Sequence, residues 1–196
     1  MSANKIAMIP VMFSTEEIKK INKEIQTKYI TDQSIENSEK SAGWATKKAK
    51  VHHIPCPPLM EYLHPFITEI QKANMDCFGY DLFFYFTCAM FNYNVYDGET
   101  KDEYGWHTDG TQDGAPTDIK LTCILNLSED TYEGGDLVIF PNYQDTKKEE
   151  YKNLVGKFRT PGTAIIFNSF MPHKVLPVTK GKRITLTYWV EGPTWK

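Results

Sequence analysis

The sequence predicts an α+β protein, and three observations carry that reading. Two amphipathic helical segments precede Gly79, a series of β-branched and aromatic runs follows it, and Gly134-Gly135, Pro161-Gly162 and Gly181 punctuate those runs. Ser14 and Glu17 are spaced as a capping box, and Ile18, Ile21 and Ile25 repeat at helical spacing, so a helix is expected over about 15–28. From Thr31 to Lys50 the chain is polar and aperiodic, with Trp44 as its single large apolar group. That composition suggests a mobile flap, with Lys47, Lys48 and Lys50 as a solvated loop. Leu59, Leu63, Phe66, Ile67 and Ile70 share one face of a second helix from Pro58 to Met75, with Pro58 tolerated in the first turn.

Strands are expected at Leu82 to Tyr96, Ile119 to Leu127, Asp136 to Phe140, Ala164 to Phe167, His173 to Val178 and Arg183 to Val190. Two helices followed by these runs argue for a β-sandwich or jelly roll backed by helices on one face. No internal repeat or linker divides the 196 residues, so a single domain is expected, with a helical N-terminal part over 1–78 and a β core over 79–192. A chain of this length can bury roughly 70% of its unfolded surface.

Composition excludes several classes. A charged fraction of 24% and a formal net charge of −3 give no global footprint for nucleic acid. Cys56, Cys77, Cys88 and Cys123 show no CxxC or CxH spacing, so they read as reduced, partly buried thiols rather than a zinc knuckle or dithiol. The N-terminus lacks the apolar core of a secretory signal, and no apolar run reaches about 18 residues. A soluble cytoplasmic protein with no membrane partner is the expectation, in a reducing compartment.

The chemistry concentrates in the tripeptide His107-Thr108-Asp109, the distant His173, and Arg183 ten residues beyond it. In an extended segment His107 and Asp109 project to the same side, and strands far apart in sequence can be neighbours in a sandwich. Two imidazoles and one carboxylate can hold one face of a non-haem Fe(II), leaving the opposite positions open. The carboxylate in place of a third histidine favours a hard, octahedral, redox-active ion over a closed tetrahedral zinc site. His52 and His53 border the polar loop and His64 lies on a helix, so none is expected to ligate. Arg183 suits a bidentate pair with a carboxylate, and Tyr93 or Tyr96, on the strand leading into the tripeptide, could donate to the same group. Such a pocket would take a small dicarboxylate. Trp44 and Trp106 are candidates for covering or touching the target.

Three stretches, FNYNVYDGETKDEYGWHTDG, LTCILNLSEDTYEGGDLVIF and PGTAIIFNSFMPHKVLPVTKGKRITLTYWV, resemble the Fe(II)/2-oxoglutarate dioxygenases, in particular the prolyl 4-hydroxylase-like branch. The likeness covers residues 82 to 190 and reaches the N-terminal third only loosely. It implies a double-stranded β-helix, or jelly roll, with supporting N-terminal helices. It implies Fe(II) held by His107, Asp109 and His173, 2-oxoglutarate and O₂ as cosubstrates, and ascorbate as reductant. Arg183 would pair with the distal 2-oxoglutarate carboxylate. Tyr96 would donate to that carboxylate, with Tyr93 as the fallback, and Thr122 would line the cosubstrate pocket.

The implied reaction is hydroxylation of a prolyl residue in a peptide or protein, with release of succinate and CO₂. Collagen-type members carry lysine at the position of Arg183 and a shorter spacing between the tyrosine and the HxD, which places this chain nearer the bacterial PKHD-type hydroxylases. Alternatives are a hydroxylase of a free amino acid or other small molecule, and a non-catalytic sensor of 2-oxoglutarate or metal. A zinc hydrolase lacks a glutamate base beside a ligand.

Overall fold

The computed structural model describes residues 6–30, 36–37, 47–84, 89–110, 115–140 and 156–195. The capping box is formed: the Ser14 hydroxyl accepts from the Glu17 N–H, Glu17 accepts from the Ser14 N–H, and α1 runs Thr15–Lys28. α2 runs Cys56–Ala73 and starts before the expected Pro58, because Pro57 and Pro58 occupy first-turn positions whose N–H groups have no intrahelical acceptor. Past Ala73 the chain widens into a π-helical turn, Asn74–Phe78, closed by Gly79 at φ +72°. No helix among the described residues is long and apolar enough to cross a membrane.

The strands are β1 (Ile6–Ile9), β2 (Glu36–Asn37), β3 (Lys47–Lys48), β4 (Lys50–Pro55), β5 (Met90–Asp97), β6 (Glu103–His107), β7 (Thr117–Asn126), β8 (Glu133–Gly134), β9 (Leu137–Ile139), β10 (Ala164–Asn168), β11 (His173–Val175), β12 (Val178–Lys180) and β13 (Lys182–Pro193). A large sheet has the order β1-β10-β7-β13-β5-β4-β2, a small one the order β3-β6-β11-β9, and β12 pairs with β8. The pairing is antiparallel throughout, and the two sheets make the jelly roll. The run expected from His173 to Val178 is interrupted because Pro177 has no N–H to give a ladder. The run expected from Leu82 begins as an isolated bridge between Phe83 and Glu191, and the strand proper starts at Met90.

Two expectations for the N-terminal third are corrected. It is not only helical, since β1 adds to one edge of the large sheet and β4 and β2 to the other. Lys47, Lys48 and Lys50 are not loop residues but lie in β3 and β4, where backbone pairing with β6 and β5 outweighs their charge. Trp44, and most of the segment read as a flap, lie outside the described residues.

Side-chain alternation divides the large sheet into two faces. Phe91 and Tyr93 of β5, Leu121, Cys123 and Leu125 of β7, and Leu186, Tyr188 and Val190 of β13 pack with Ile18, Ile21 and Ile25 of α1 and Leu59, Leu63 and Phe66 of α2 in the main core. Ile124, Ile165 and Phe167 point the other way, meeting Leu137, Ile139 and Val175 of the small sheet in a second core. Asn22 pins α1 to the large sheet. Its amide donates to the Leu127 carbonyl (2.9 Å) and to Glu129 (2.7 Å), and its oxygen accepts from the Tyr93 hydroxyl (3.1 Å).

Replacing Asn22 by alanine leaves the buried Leu127 carbonyl and Tyr93 hydroxyl short of a partner. Asn22→Ala is therefore expected to cost about 1–3 kcal/mol, read as a lower urea midpoint at unchanged slope.

Candidate metal centre

His107 and His173 face each other directly, as paired residues of β6 and β11, which is how positions remote in sequence come to share one site. Their rings lie 4.0 Å apart between centroids. Asp109, just beyond the end of β6, is held by its N–H donating to the Ser169 carbonyl (2.9 Å). Its carboxylate lies 3.7 Å from His107 Nε2 and 3.4 Å from His173 Nε2, and one ligand atom from each residue falls within 4.8 Å of the others.

Neighbouring groups fix the orientation of all three side chains. His107 Nδ1 lies 2.8 Å from the Gly105 carbonyl oxygen and His173 Nδ1 2.9 Å from that of Met171. A carbonyl can only accept, so each Nδ1 carries the proton and each Nε2 presents its lone pair inward. The Thr122 hydroxyl donates to Asp109 Oδ2 at 2.6 Å. The Tyr104 ring stacks on His107 at 3.5 Å, and Phe167 meets His173 edge-on at 4.8 Å. Tyr104 and His107, three residues apart, would face opposite ways on a regular strand. A bulge, across which the partners of His173 and Val175 jump from His107 to Tyr104, turns both toward the site.

The electrostatics suit a cation. Burial, with repulsion from His173, lowers His107 from 6.5 to about 4, so its imidazole is neutral at ordinary pH. Burial alone would raise the Asp109 carboxyl; His173, together with His107 and the Thr122 hydroxyl, outweighs it and brings the group down to about 2. Two imidazole nitrogens and one carboxylate make a donor set that fits a divalent ion with open coordination positions.

The three residues line a pocket of about 410 Å³, counting its open mouth, together with Tyr96, Thr122, Arg183 and Trp189. Arg183 is 1% exposed, yet its Nε and Nη2 have no hydrogen-bond partner among the described residues. Its guanidinium is caged by Tyr96 (5.1 Å) and Phe158 (5.7 Å). A buried guanidinium with two orphaned donors calls for a bidentate acceptor, so the residues present also fit a carboxylate-bearing cosubstrate.

Of the predicted residues, His107, Asp109, His173, Arg183, Tyr96 and Thr122 are brought together. Burial keeps the Tyr96 phenol protonated, well above its usual range. Thr122 is placed to serve Asp109 directly. Tyr93 is not at the pocket: its hydroxyl points to α1 and Asn22, because it lies an odd number of residues from Tyr96 on one strand. Trp106 is 43% exposed and sits under the Lys174 ammonium at 4.8 Å, outside the pocket.

Sequence reasoning passed over Tyr104, Lys47, Asn92, Asn94, Thr185, Thr187 and Trp189, all of which line the pocket. The alternations N-x-N-x-Y on β5 and R-x-T-x-T-x-W on β13 were the available signal for five of them.

Two outcomes follow from this geometry. In the metal-free protein, His107 titrates below its unfolded value, so between about pH 6.5 and 4 the unfolded chain binds a proton that the folded chain does not, and stability falls as pH is lowered through that window. The loss is bounded by about 3 kcal/mol, and His107→Gln should flatten it in urea titrations repeated across pH. Gly135 sits at φ +66°, and a Cβ there would meet Arg183 Cδ and Val178 Cγ2 at 2.9 Å. Gly135→Ala should lower thermal stability and also weaken any ligand held by Arg183, measured by calorimetry.

Residues 91–191 match the family profile of the 2OG-Fe(II) oxygenase superfamily. A PKHD-type hydroxylase of Synechococcus sp. (strain CC9605) is 37% identical over 94 residues, 46% of this chain and 37% of that protein, so the chain spans about two fifths of this relative. The fold is similar to that of a Pseudomonas putida prolyl-4-hydroxylase, with TM-score 0.65, 16% identity and coverage of 97% of this chain and 94% of that one. It is also similar to that of a prolyl hydroxylase from Trichoplax adhaerens, solved with a hypoxia inducible factor oxygen degradation domain peptide fragment; there the TM-score is 0.61, the identity 17%, and the coverage 94% and 82%. With the profile spanning the strands that carry His107, Asp109, His173 and Arg183, this chain belongs to the 2OG-Fe(II) oxygenase superfamily.

Proposed function

We propose that the chain is an Fe(II)- and 2-oxoglutarate-dependent dioxygenase that hydroxylates a prolyl residue of a peptide or protein in the cytoplasm, with ascorbate as reductant. The observation that carries this reading is one pocket holding both the His107–Asp109–His173 donor set and the buried Arg183 guanidinium with two unpartnered donors. The prolyl target is supported by the PKHD-type relatives and the prolyl hydroxylase neighbours.

His107 and His173 would hold the metal through Nε2, and Asp109 through its carboxylate, with Thr122 restraining that carboxylate. Iron with 2-oxoglutarate and O₂ supplies the oxidising power to hydroxylate an unactivated C–H, yielding succinate and CO₂. Arg183 would take the distal carboxylate of 2-oxoglutarate in a bidentate pair, and the protonated Tyr96 phenol would add a donor from the facing strand. Ile124, Leu137 and Val175 supply an apolar wall that limits water around the reacting atoms. No side chain needs to act as base or nucleophile. The protein's part is geometry, exclusion of water and placement of the target.

Succinate release from 2-oxoglutarate, with proline-rich peptides screened for a 16 Da gain, tests the reading. His107→Ala, Asp109→Ala and His173→Ala should each abolish succinate formation with circular dichroism unchanged. Arg183→Ala should raise the KM for 2-oxoglutarate by tenfold or more, and Thr122→Val should weaken Fe(II) affinity by about 10–100-fold. Full turnover by Asp109→Ala would overturn the assignment.

A further inference from the structure

Lys47 contributes a second cation to the pocket that the proposed metal and cosubstrate do not need. It lies on β3, opposite Tyr104 of β6, and its ammonium crosses to the large sheet, where Nζ donates to Asn94 Oδ1 at 2.9 Å. It also stands 4.9 Å over the Tyr104 ring, the ring that stacks on His107. Among the described residues Lys47 has no carboxylate partner, and Asn94 is its single hydrogen-bond acceptor, so the ammonium has donors to spare there for an anion. Burial lowers Lys47 from 10.5 to about 8, opposed by the Asp109 charge, which reflects a cation short of a counter-ion.

Among the described residues the charges around the site do not cancel without a further anion. Among the described residues Asp109 is the sole carboxylate lining the pocket, whereas Arg183 and Lys47 are both cationic. A divalent metal and the two carboxylates of 2-oxoglutarate offset each other, and Arg183 offsets Asp109. One positive charge is then left, on Lys47. Asn94 lies one pocket-facing step, about 7 Å, along β5 from Tyr96, so Lys47 stands beside the Arg183 cradle rather than within it. Asn94 cannot turn its amide nitrogen to Lys47 without loss, because that nitrogen already donates to the Asn92 carbonyl (2.9 Å) and Thr187 Oγ1 (3.2 Å). The ammonium is thus held in place by a neutral oxygen and a ring face, neither of which neutralises it.

We propose that Lys47, positioned by Asn94 and Tyr104, anchors a carboxylate on the hydroxylation target, so that the reacting C–H lies close to an acidic group. This rests on the dioxygenase reading above. A free amino-acid carboxylate, a C-terminal prolyl carboxylate and an acidic side chain flanking the prolyl residue share this chemistry, and matched probes separate them.

The test uses the Fe(II)-loaded chain without O₂, where 2-oxoglutarate chelation gives a visible charge-transfer band. That band reports cosubstrate binding first and target binding second. L-Proline against L-prolinamide, N-acetyl-L-proline against its amide, and a Pro-Glu peptide against its Pro-Gln counterpart are titrated by their perturbation of the band. The wild type should bind the carboxylate member of at least one pair tenfold or more tightly. Lys47→Met should reduce that preference to about twofold or less, Lys47→Arg should restore most of it, and Lys47→Met should leave the 2-oxoglutarate Kd within about twofold.

A preference that survives Lys47→Met overturns the proposal, as does the absence of any carboxylate preference in the wild type. A tenfold weaker 2-oxoglutarate Kd in Lys47→Met, with target preference intact, also overturns it by assigning Lys47 to the cosubstrate. Absence of the band in the wild type would instead overturn the dioxygenase reading itself.

Discussion

A β-strand can send its side chains only to alternate faces, and the three central strands of the large sheet put that constraint to chemical use. On β5, β7 and β13 one parity is apolar and packs under α1 and α2, while the other carries Asn92, Asn94, Tyr96, Thr122, Arg183, Thr185, Thr187 and Trp189 toward the pocket. The helices therefore do more than cover a sheet. By claiming one face completely they leave the opposite face free to be polar, although it lies deep inside the molecule. The small sheet closes that polar face and supplies the two histidines.

Polarity at such depth is tolerated because most groups are satisfied and the rest face an acceptor that a ligand can provide. Asn94 donates to the Asn92 carbonyl and to Thr187 Oγ1, Asn92 Oδ1 pairs with His53 Nδ1, and Thr122 donates to Asp109. Among the described residues Arg183 Nε, Arg183 Nη2 and Trp189 Nε1 have no partner, and both residues line the pocket. Desolvation keeps His107 neutral, while the two histidines and the Thr122 hydroxyl hold the Asp109 carboxyl low. One set of contacts thus prepares both the nitrogen and the oxygen donors for a metal.

Much of this was legible in the sequence. The capping box and the isoleucine period located α1 closely, and the HTD tripeptide, His173 and Arg183 located the centre of the pocket. Legibility failed where a tertiary fact overrode a local pattern. Tyr93 and Tyr96 cannot both face one site on a regular strand, so parity alone favoured one, but only the apolar helices show which parity is inward. Tyr104 reaches the pocket through a bulge that leaves no mark in the residue types. Lys47 was hidden in a charged run whose composition is that of a loop, because two-residue pairing with β6 is too short to leave a periodic signal.

That shortness of β3 has a bearing on how such a scaffold diversifies. Most pocket residues sit on interior strands, paired on both sides, where a substitution disturbs two ladders and a packed core behind them. β3 is an edge of two residues paired to β6 alone, so the side chain at position 47 can be exchanged with little strain on the framework. The pocket can therefore be varied at this margin while the cradle formed by His107, Asp109 and His173 stays fixed.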